Sequence, residues 1–378
     1  MKSIAKLGPL CLAFVVWASA HAQAQRAAPD IVIGHVAGYT GPVSKDAIEL
    51  GAGAQVLVDA ANDKGGVNGR KLRILVADDG FKAENTLKLI DEIKGKVVAL
   101  LPMVGSANSA ALVKANVLET PLVGTVPSPE HIRTWQNRNL FHIRASDRQQ
   151  TERILEILLT FGFKDIALYV PNNPFGEQST KHVEAYLGSR NLKLAVNAIY
   201  TLVGPKADIE PALKALQGKA YQAVVMFGPP KYMADGVKAL RSRGETAQIY
   251  ALSYADSKLI VETAGLGLAR GVGISQVMPN INNKALPFVR AFRDDYAKYA
   301  KTKDEPTYFH IEGYLAAKLI VEAIRRAKTA TPEGVRRGLE QMSSYDVGGY
   351  TIQYSPTNHQ GSSFVDLSVI TGSGRLQY

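Results

Sequence analysis

The chain has 378 residues, 46% hydrophobic and 21% charged, which is the composition of a folded protein rather than of a disordered tail or a coiled coil. Its length accommodates two domains. Basic residues outnumber acidic ones 44 to 34 but are scattered, and the densest pairs, Arg325-Arg326 and Arg336-Arg337, read as solvated helix faces rather than a nucleic-acid patch.

The start of the chain reads as an export leader. Lys2 and Lys6 give a positive beginning, an apolar run covers residues 7–18, and small residues follow in A-x-A spacing at Ala20-His21-Ala22 and Ala22-Gln23-Ala24. The run is short for a membrane span and the small residues mark a cleavage site, so residues 1–24 are expected to be removed on secretion. A retained membrane anchor is the alternative. Loss of Lys2 and Lys6 lowers the net charge of +10 by two. The only cysteine, Cys11, lies inside the leader after Leu10, where a lipoprotein site needs a small residue. The exported chain therefore has no disulfide, zinc–thiolate site or cysteine nucleophile.

Strand-like and helix-like patterns then alternate. Residues 31–36 form an apolar strand. Leu50, Gly53, Ala54, Leu57, Val58 and Ala61 recur at offsets 0, 3, 4, 7, 8 and 11, one face of a helix. Gly65-Gly66 ends it, and Asn68-Gly69 turns the chain into a strand at 73–77. The alternation continues through 86–93, 97–101, 109–118 and 122–124. A second series begins near Ser146, with a helix marked by Ile154, Ile157, Leu158 and Phe161 and strands at 166–170, 223–227 and 249–252. Ala316, Leu319, Ile320, Ala323, Ile324 and Ala327 repeat the helical spacing, and strand-like segments at 350–354 and 364–370 close the chain. Continuous apolar strands between helices predict an α/β protein of two doubly wound lobes with parallel sheets covered on both faces.

The motifs of a doubly wound enzyme are missing. There is no GxxxxGK[ST] and no GxSxG, and Gly51-Ala52-Gly53 lies in a helical pattern with Val56 at the third glycine position of GxGxxG. The seven histidines, His21, His35, His131, His142, His182, His310 and His359, never fall at metal-ligand spacing. Asp78-Asp79 before Gly80 reads as a solvated turn rather than an acid–base pair. No catalytic residue, metal or cofactor is expected; a triad assembled from distant residues is the alternative.

In open α/β sheets ligands bind beyond the carboxyl ends of the strands, and three such ends carry small polar residues. Gly105-Ser106 follows 97–101, with Ser106 placed as a helix N-cap whose neighbouring N–H groups and dipole face an anion. A capping serine without a ligand is the plain alternative. Val126-Pro127-Ser128 follows 122–124, and Ser253-Tyr254 follows 249–252. Tyr39, Phe175 and Phe309 stand after other strands, as pocket walls or as ordinary packing.

Five strings occur in order: Gly38-Tyr39-Thr40-Gly41-Pro42, Ala61-Asn62-Asp63-Lys64-Gly65-Gly66-Val67-Asn68-Gly69-Arg70-Lys71-Leu72, Ala77-Asp78-Asp79-Gly80, Asn173-Pro174-Phe175-Gly176 and Glu312-Gly313-Tyr314. With them, nearly all of the sequence beyond the leader resembles the leucine/isoleucine/valine-binding protein family of periplasmic solute receptors. The resemblance implies two lobes joined by three crossings near Ser146, Ser275 and Val347, so that residues 27–145 plus 275–346 form one lobe and 146–274 plus 347–378 the other. It implies hinge closure on a ligand in the cleft, delivery to an inner-membrane ABC permease and its ATPase, and no enzymatic activity. The chain is expected to act as a monomer in the periplasm.

By position, Gly105 and Ser106 match the family's first carboxylate loop, Val126 and Ser128 its second, and Phe175 and Phe309 its aromatic walls. Pro229 falls where another wall residue is expected. Tyr254 replaces the acid that pairs with the ligand's ammonium, with Asp256 two residues on as the nearest substitute. A small carboxylate is therefore the expected ligand, and one without an α-ammonium is expected to bind at least as well as leucine. A sensory domain of the same fold is the rival; it calls for an attached transmembrane or signalling segment, and none follows Tyr378.

Overall fold

The computed structural model describes residues 29–41, 43–203 and 206–378, so the leader and Cys11 lie outside the described residues. Two sheets define two lobes. The first is wholly parallel, in the order Leu72–Asp78, Ile31–Ala37, Ala99–Leu100, Leu122–Val123, Leu140–Phe141. The second runs Lys206–Asp208, Val196–Val203, Ile166–Pro171, Ala223–Met226, Gln248–Ala251, Gly273–Gln276, Asp366–Ile370, Leu376–Gln377. Its strands from Val196–Val203 to Gly273–Gln276 are parallel, and antiparallel strands close both edges. Ile166–Pro171 is buried at every position, as a strand covered on both faces must be.

Val196–Val203 and Gly273–Gln276 escape the apolar-run pattern. In the first, Ala198 and Tyr200 are buried while Asn197 and Ile199 are exposed, the two-residue period of a half-buried strand. The second is four residues long and contains a glycine and two polar side chains.

In the first lobe the Ser44–Asp63 helix lies against the Tyr308–Ala327 helix. Two glycines permit the contact: a side chain on Gly53 would strike the His310 carbonyl, and one on Gly313 the Leu50 backbone. Mid-helix glycine costs roughly 0.5–1 kcal/mol against alanine, and here the close approach of two buried helices offsets that cost. The long string from Ala61 to Leu72 is a helix stop. The Gly66 N–H returns to the Ala61 carbonyl (2.8 Å), and the Asn62 amide both donates to and accepts from the Leu72 backbone (2.9 and 2.8 Å).

The chain crosses between lobes three times. Ile143 packs in the first core, while Ser146 and Gln149 form a reciprocal cap on the Asp147–Thr160 helix of the second lobe. Ser275 lies in the last parallel strand of the second sheet, and Met278 is already in the first core. The third crossing comes after residue 354, later than Val347. Val347, Tyr350, Ile352 and Tyr354 all pack in the first core. Two phenols account for this: the Tyr350 hydroxyl reaches the carbonyls of Ile143 and Val277 (2.8 and 3.1 Å), and Tyr354 donates to that of His142 (2.9 Å). These bonds tie the third segment to the first two. Among the described residues no helix is long and apolar enough to cross a membrane.

Candidate functional site

Two strand ends of the first lobe continue side by side. Met103–Val104 pairs in parallel with Thr125–Val126, and the Gly105 N–H donates to the Val126 carbonyl (2.7 Å). Gly105, not Ser106, is the N-cap of the Ser106–Ala115 helix; Ser106 is its first helical residue and is half-buried. The shift is one residue, and its reason is conformational. Gly105 has φ +115°, which L side chains rarely adopt, and the Phe81 ring occupies the space a Cβ would need. No side chain caps this helix, so its first N–H groups have no side-chain acceptor.

The loop is braced from behind by Asp79. Asp78 is exposed, but Asp79 is fully buried, contrary to the solvated turn expected for both. Its carboxylate accepts from the Phe81 N–H (2.8 Å), Thr86 Oγ1 (2.6 Å) and Asn108 Nδ2 (3.0 Å). Beside it, buried His35 bridges the Pro102 carbonyl and Tyr39. Nε2 lies 3.1 Å from that carbonyl, which can only accept, so Nδ1 accepts from the Tyr39 hydroxyl at 2.8 Å. Burial pushes the imidazole down to about 4 and the phenol up to about 12, so both are neutral near pH 7.

The second loop turns inward. Ser128 is fully buried; its N–H donates to Asp147 Oδ1 (3.3 Å) and its hydroxyl oxygen accepts from Arg133 Nη1 (3.0 Å). The Val126 carbonyl is taken by Gly105. The expected second carboxylate loop therefore has its N–H and one hydroxyl lone pair engaged within the protein, and only the Ser128 hydroxyl proton is left to donate. Burial raises Asp147 to about 6, against the opposing pull of Arg144 and the Ser128 N–H.

The aromatic candidates converge from both lobes. Tyr39 and Phe309 pack on Leu50, Val104 and Val126 of the first lobe. Phe309 and Phe175 also pack against the second lobe's core, which contains Tyr254. Phe175 lies 6.4 Å from Tyr254 and 6.2 Å from Phe227, edge to face in both cases. Pro229 stands as the N-cap of the Pro230–Ser242 helix, and Phe227, two residues before it, is the buried ring that meets Phe175. The Tyr254 hydroxyl is buried with no hydrogen-bond partner among the described residues, and burial together with Asp147 holds it far above the usual phenol range. Asp256 does not substitute for the missing acid: it caps the Ser257–Ala264 helix through the N–H groups of Lys258 and Leu259, and it binds Lys45 Nζ of the first lobe (2.5 Å).

A charged group missed by the sequence reading lies below these residues. Arg144, 1% exposed, donates through Nη2 to Ser253 Oγ of the second lobe, and its Nη1 lies 3.5 Å from Glu312 Oε2. Burial pushes the Glu312 carboxyl up, and Arg144 opposes that. The available signal was Glu312 itself, in the middle of an apolar helix face, which demands a buried cation as partner.

A family described as periplasmic binding protein matches residues 30–374. A substrate-binding periplasmic protein from Ralstonia solanacearum superposes with a TM-score of 0.84 at 31% identity, covering 92% of this chain and 99% of its own. A branched-chain amino acid ABC transporter protein from Thermus thermophilus with bound valine shares the fold at 21% identity, with a TM-score of 0.80 and coverage of 92% and 94%. A Leu/Ile/Val-binding protein homolog from Brucella abortus is 22% identical over 329 residues, 84% of each chain. A match over nearly the whole described chain, on two α/β lobes with three crossings, places this protein in the periplasmic binding protein family.

Proposed function

We propose that the chain is the periplasmic receptor of an ABC importer. It holds a small carboxylate-bearing solute, of the branched-chain amino acid type or a related acid, between its lobes. The observation that carries this reading is the convergence of Tyr39 and Phe309 from one lobe with Phe175 and Tyr254 from the other, beside a helix N-terminus that no side chain caps. Such an N-terminus suits an anion, and the aromatic groups suit an apolar or aromatic body. Tyr39 donates its proton to His35, so its oxygen is left to accept from a ligand donor. The valine bound to the Thermus thermophilus protein supports the solute class. The protein is a carrier of its ligand and not an enzyme; the relatives are binding proteins and no catalytic motif occurs.

A thermal-shift screen of amino acids, dicarboxylates and aromatic acids tests this. A ligand at 100 times its Kd stabilises the fold by about 2.7 kcal/mol. Stabilisation by no acid in such a panel would overturn the reading, and turnover of a bound solute would favour an enzyme. With Asp256 held by Lys45 and its own helix, an acid without an α-ammonium is expected to bind at least as well as leucine. Calorimetry of leucine against 4-methylpentanoate measures that directly.

A further inference from the structure

We propose that Arg144 is the anion anchor of the cleft and gives the ligand carboxylate a charged partner that the strand-end serines cannot provide. The proposal rests on the receptor reading above and adds to it a binding residue outside the strand-end loops.

The Ser128 loop offers only a neutral hydroxyl proton, because its N–H serves Asp147 and its hydroxyl oxygen already accepts from Arg133. Arg144 is in the opposite condition. Its Nε and Nη1 are buried and have no hydrogen-bond partner among the described residues. The 3.5 Å approach to Glu312 is a charge contact, longer than an N–H···O hydrogen bond. Buried donors are rarely left unpaired, and those on a charged group least of all. A purely structural pair would close on itself, yet here Glu312 Oε1 is unpaired as well.

Position and chemistry both point to a ligand. Arg144 reaches across the lobes to Ser253, the residue before Tyr254, whose hydroxyl is also buried and unpaired. A guest lying against Phe175, Phe309 and Tyr254 therefore has its polar end near the guanidinium. The planar guanidinium is matched to a carboxylate in shape and charge. Arg133 and Arg144 balance Asp147 and Glu312, so the cluster carries no net negative charge to repel a ligand carboxylate. Asp147 Oδ2 is unpaired too and is available to a donor on the ligand or to water.

The test compares acids with the corresponding amides, which lack only the carboxylate charge, on the full exported chain. The probes are 4-methylpentanoate with 4-methylpentanamide, phenylacetate with phenylacetamide, and leucine with leucinamide. Calorimetry is run on wild type, Arg144→Gln and Ser128→Ala. The ratio of acid to amide affinity is expected to fall about tenfold or more in Arg144→Gln, the size of a hydrogen bond to a charged group, and to fall less in Ser128→Ala. A ratio preserved within about threefold in Arg144→Gln, or reduced more in Ser128→Ala than in Arg144→Gln, overturns the proposal. Should Arg144→Gln fail to fold, wild type with arginine ¹⁵N labels carries the test. The Nε–H resonance that disappears in Arg144→Lys should move on saturation with acid and not with amide; a resonance that stays in place under saturating acid overturns the proposal. If none of the three acids binds, the receptor reading fails first. If an acid binds but Arg144 does not respond, only the anchor fails.

Discussion

The two strand-end loops of the first lobe start alike and finish differently. Each leaves a parallel strand and carries a serine at the entry to a helix. At Gly105-Ser106 a glycine in a left-handed conformation opens the turn, Asp79 braces it from behind, and no side chain closes the helix end. At Val126–Ser128 the serine faces inward, and Arg133 and Asp147, 5 and 19 residues away, engage an oxygen lone pair and its N–H. A strand-end serine is thus available to a ligand only if nothing behind it claims its hydrogen bonds, and distant residues decide that.

The largest effect should come from removing the brace of the open loop. Asp79→Ala leaves three donors without their carboxylate, and hydrogen bonds to charged groups contribute about 1.5–3 kcal/mol each. A loss of about 3 kcal/mol or more is expected in urea unfolding. A loss below about 1 kcal/mol would mean that the loop does not depend on Asp79.

Acid should drive the two loops in opposite directions. His35, behind the open loop, has its pKa lowered from 6.5 to about 4, so protons favour the unfolded chain. Its contribution is complete above pH 6.5 and is lost as pH falls from 6.5 toward 4. Asp147, at the closed loop, is raised from 3.8 to about 6, so protons favour the folded chain. Its penalty is full above pH 6 and is relieved as pH falls from 6 toward 4. Each shift corresponds to about 3 kcal/mol. Relative to wild type between pH 7 and pH 4, His35→Gln should lose less stability, and Asp147→Asn should lose more. Parallel curves for all three proteins would contradict these assignments.

The serines themselves give the smallest effects and the sharpest contrast. Ser128→Ala removes the acceptor of buried Arg133 and should cost about 1–3 kcal/mol of stability, more than it costs ligand affinity. Ser106→Ala should change stability by no more than about 0.5 kcal/mol while weakening the acid. Thermal unfolding beside calorimetry reads both. Equal behaviour of the two variants would erase the distinction between the loops.

Much of the fold was legible because it is written in local periodicity. The apolar spacing from Leu50 to Ala61 lies within the Ser44–Asp63 helix, and that from Ala316 to Ala327 within Tyr308–Ala327. The Ala61–Leu72 string is specific because it encodes a stop and a turn, and therefore it reports the fold and says nothing of the ligand. Val196–Val203 was hidden because one of its faces meets water. The late third crossing depends on Tyr350 and Tyr354 reaching carbonyls 207 and 212 residues away, beyond any local pattern.

The site was legible only in part, for the same reason. Tyr39, Phe175, Tyr254 and Phe309 carry enough surface that their places after strands suggested a pocket, and the fold brings them together. The burial of Asp79, the sequestration of Ser128 and the capture of Asp256 by Lys45 are pairings across 29, 19 and 211 residues. No string announces them. Arg144 showed no periodicity at all, although an acid at 312 on a buried helix face called for a cation.

The central claim, that a small acid is held between two lobes that close on it, is tested most directly by small-angle scattering with and without the best acid from the thermal screen. In the structure the lobes already touch through Lys45 and Asp256, a partly exposed pair that contributes at most about 1 kcal/mol and is too weak alone to hold them shut. The account predicts a larger radius of gyration for the empty protein and a decrease at saturating acid. An identical scattering profile in both states, with binding confirmed by calorimetry, would contradict it.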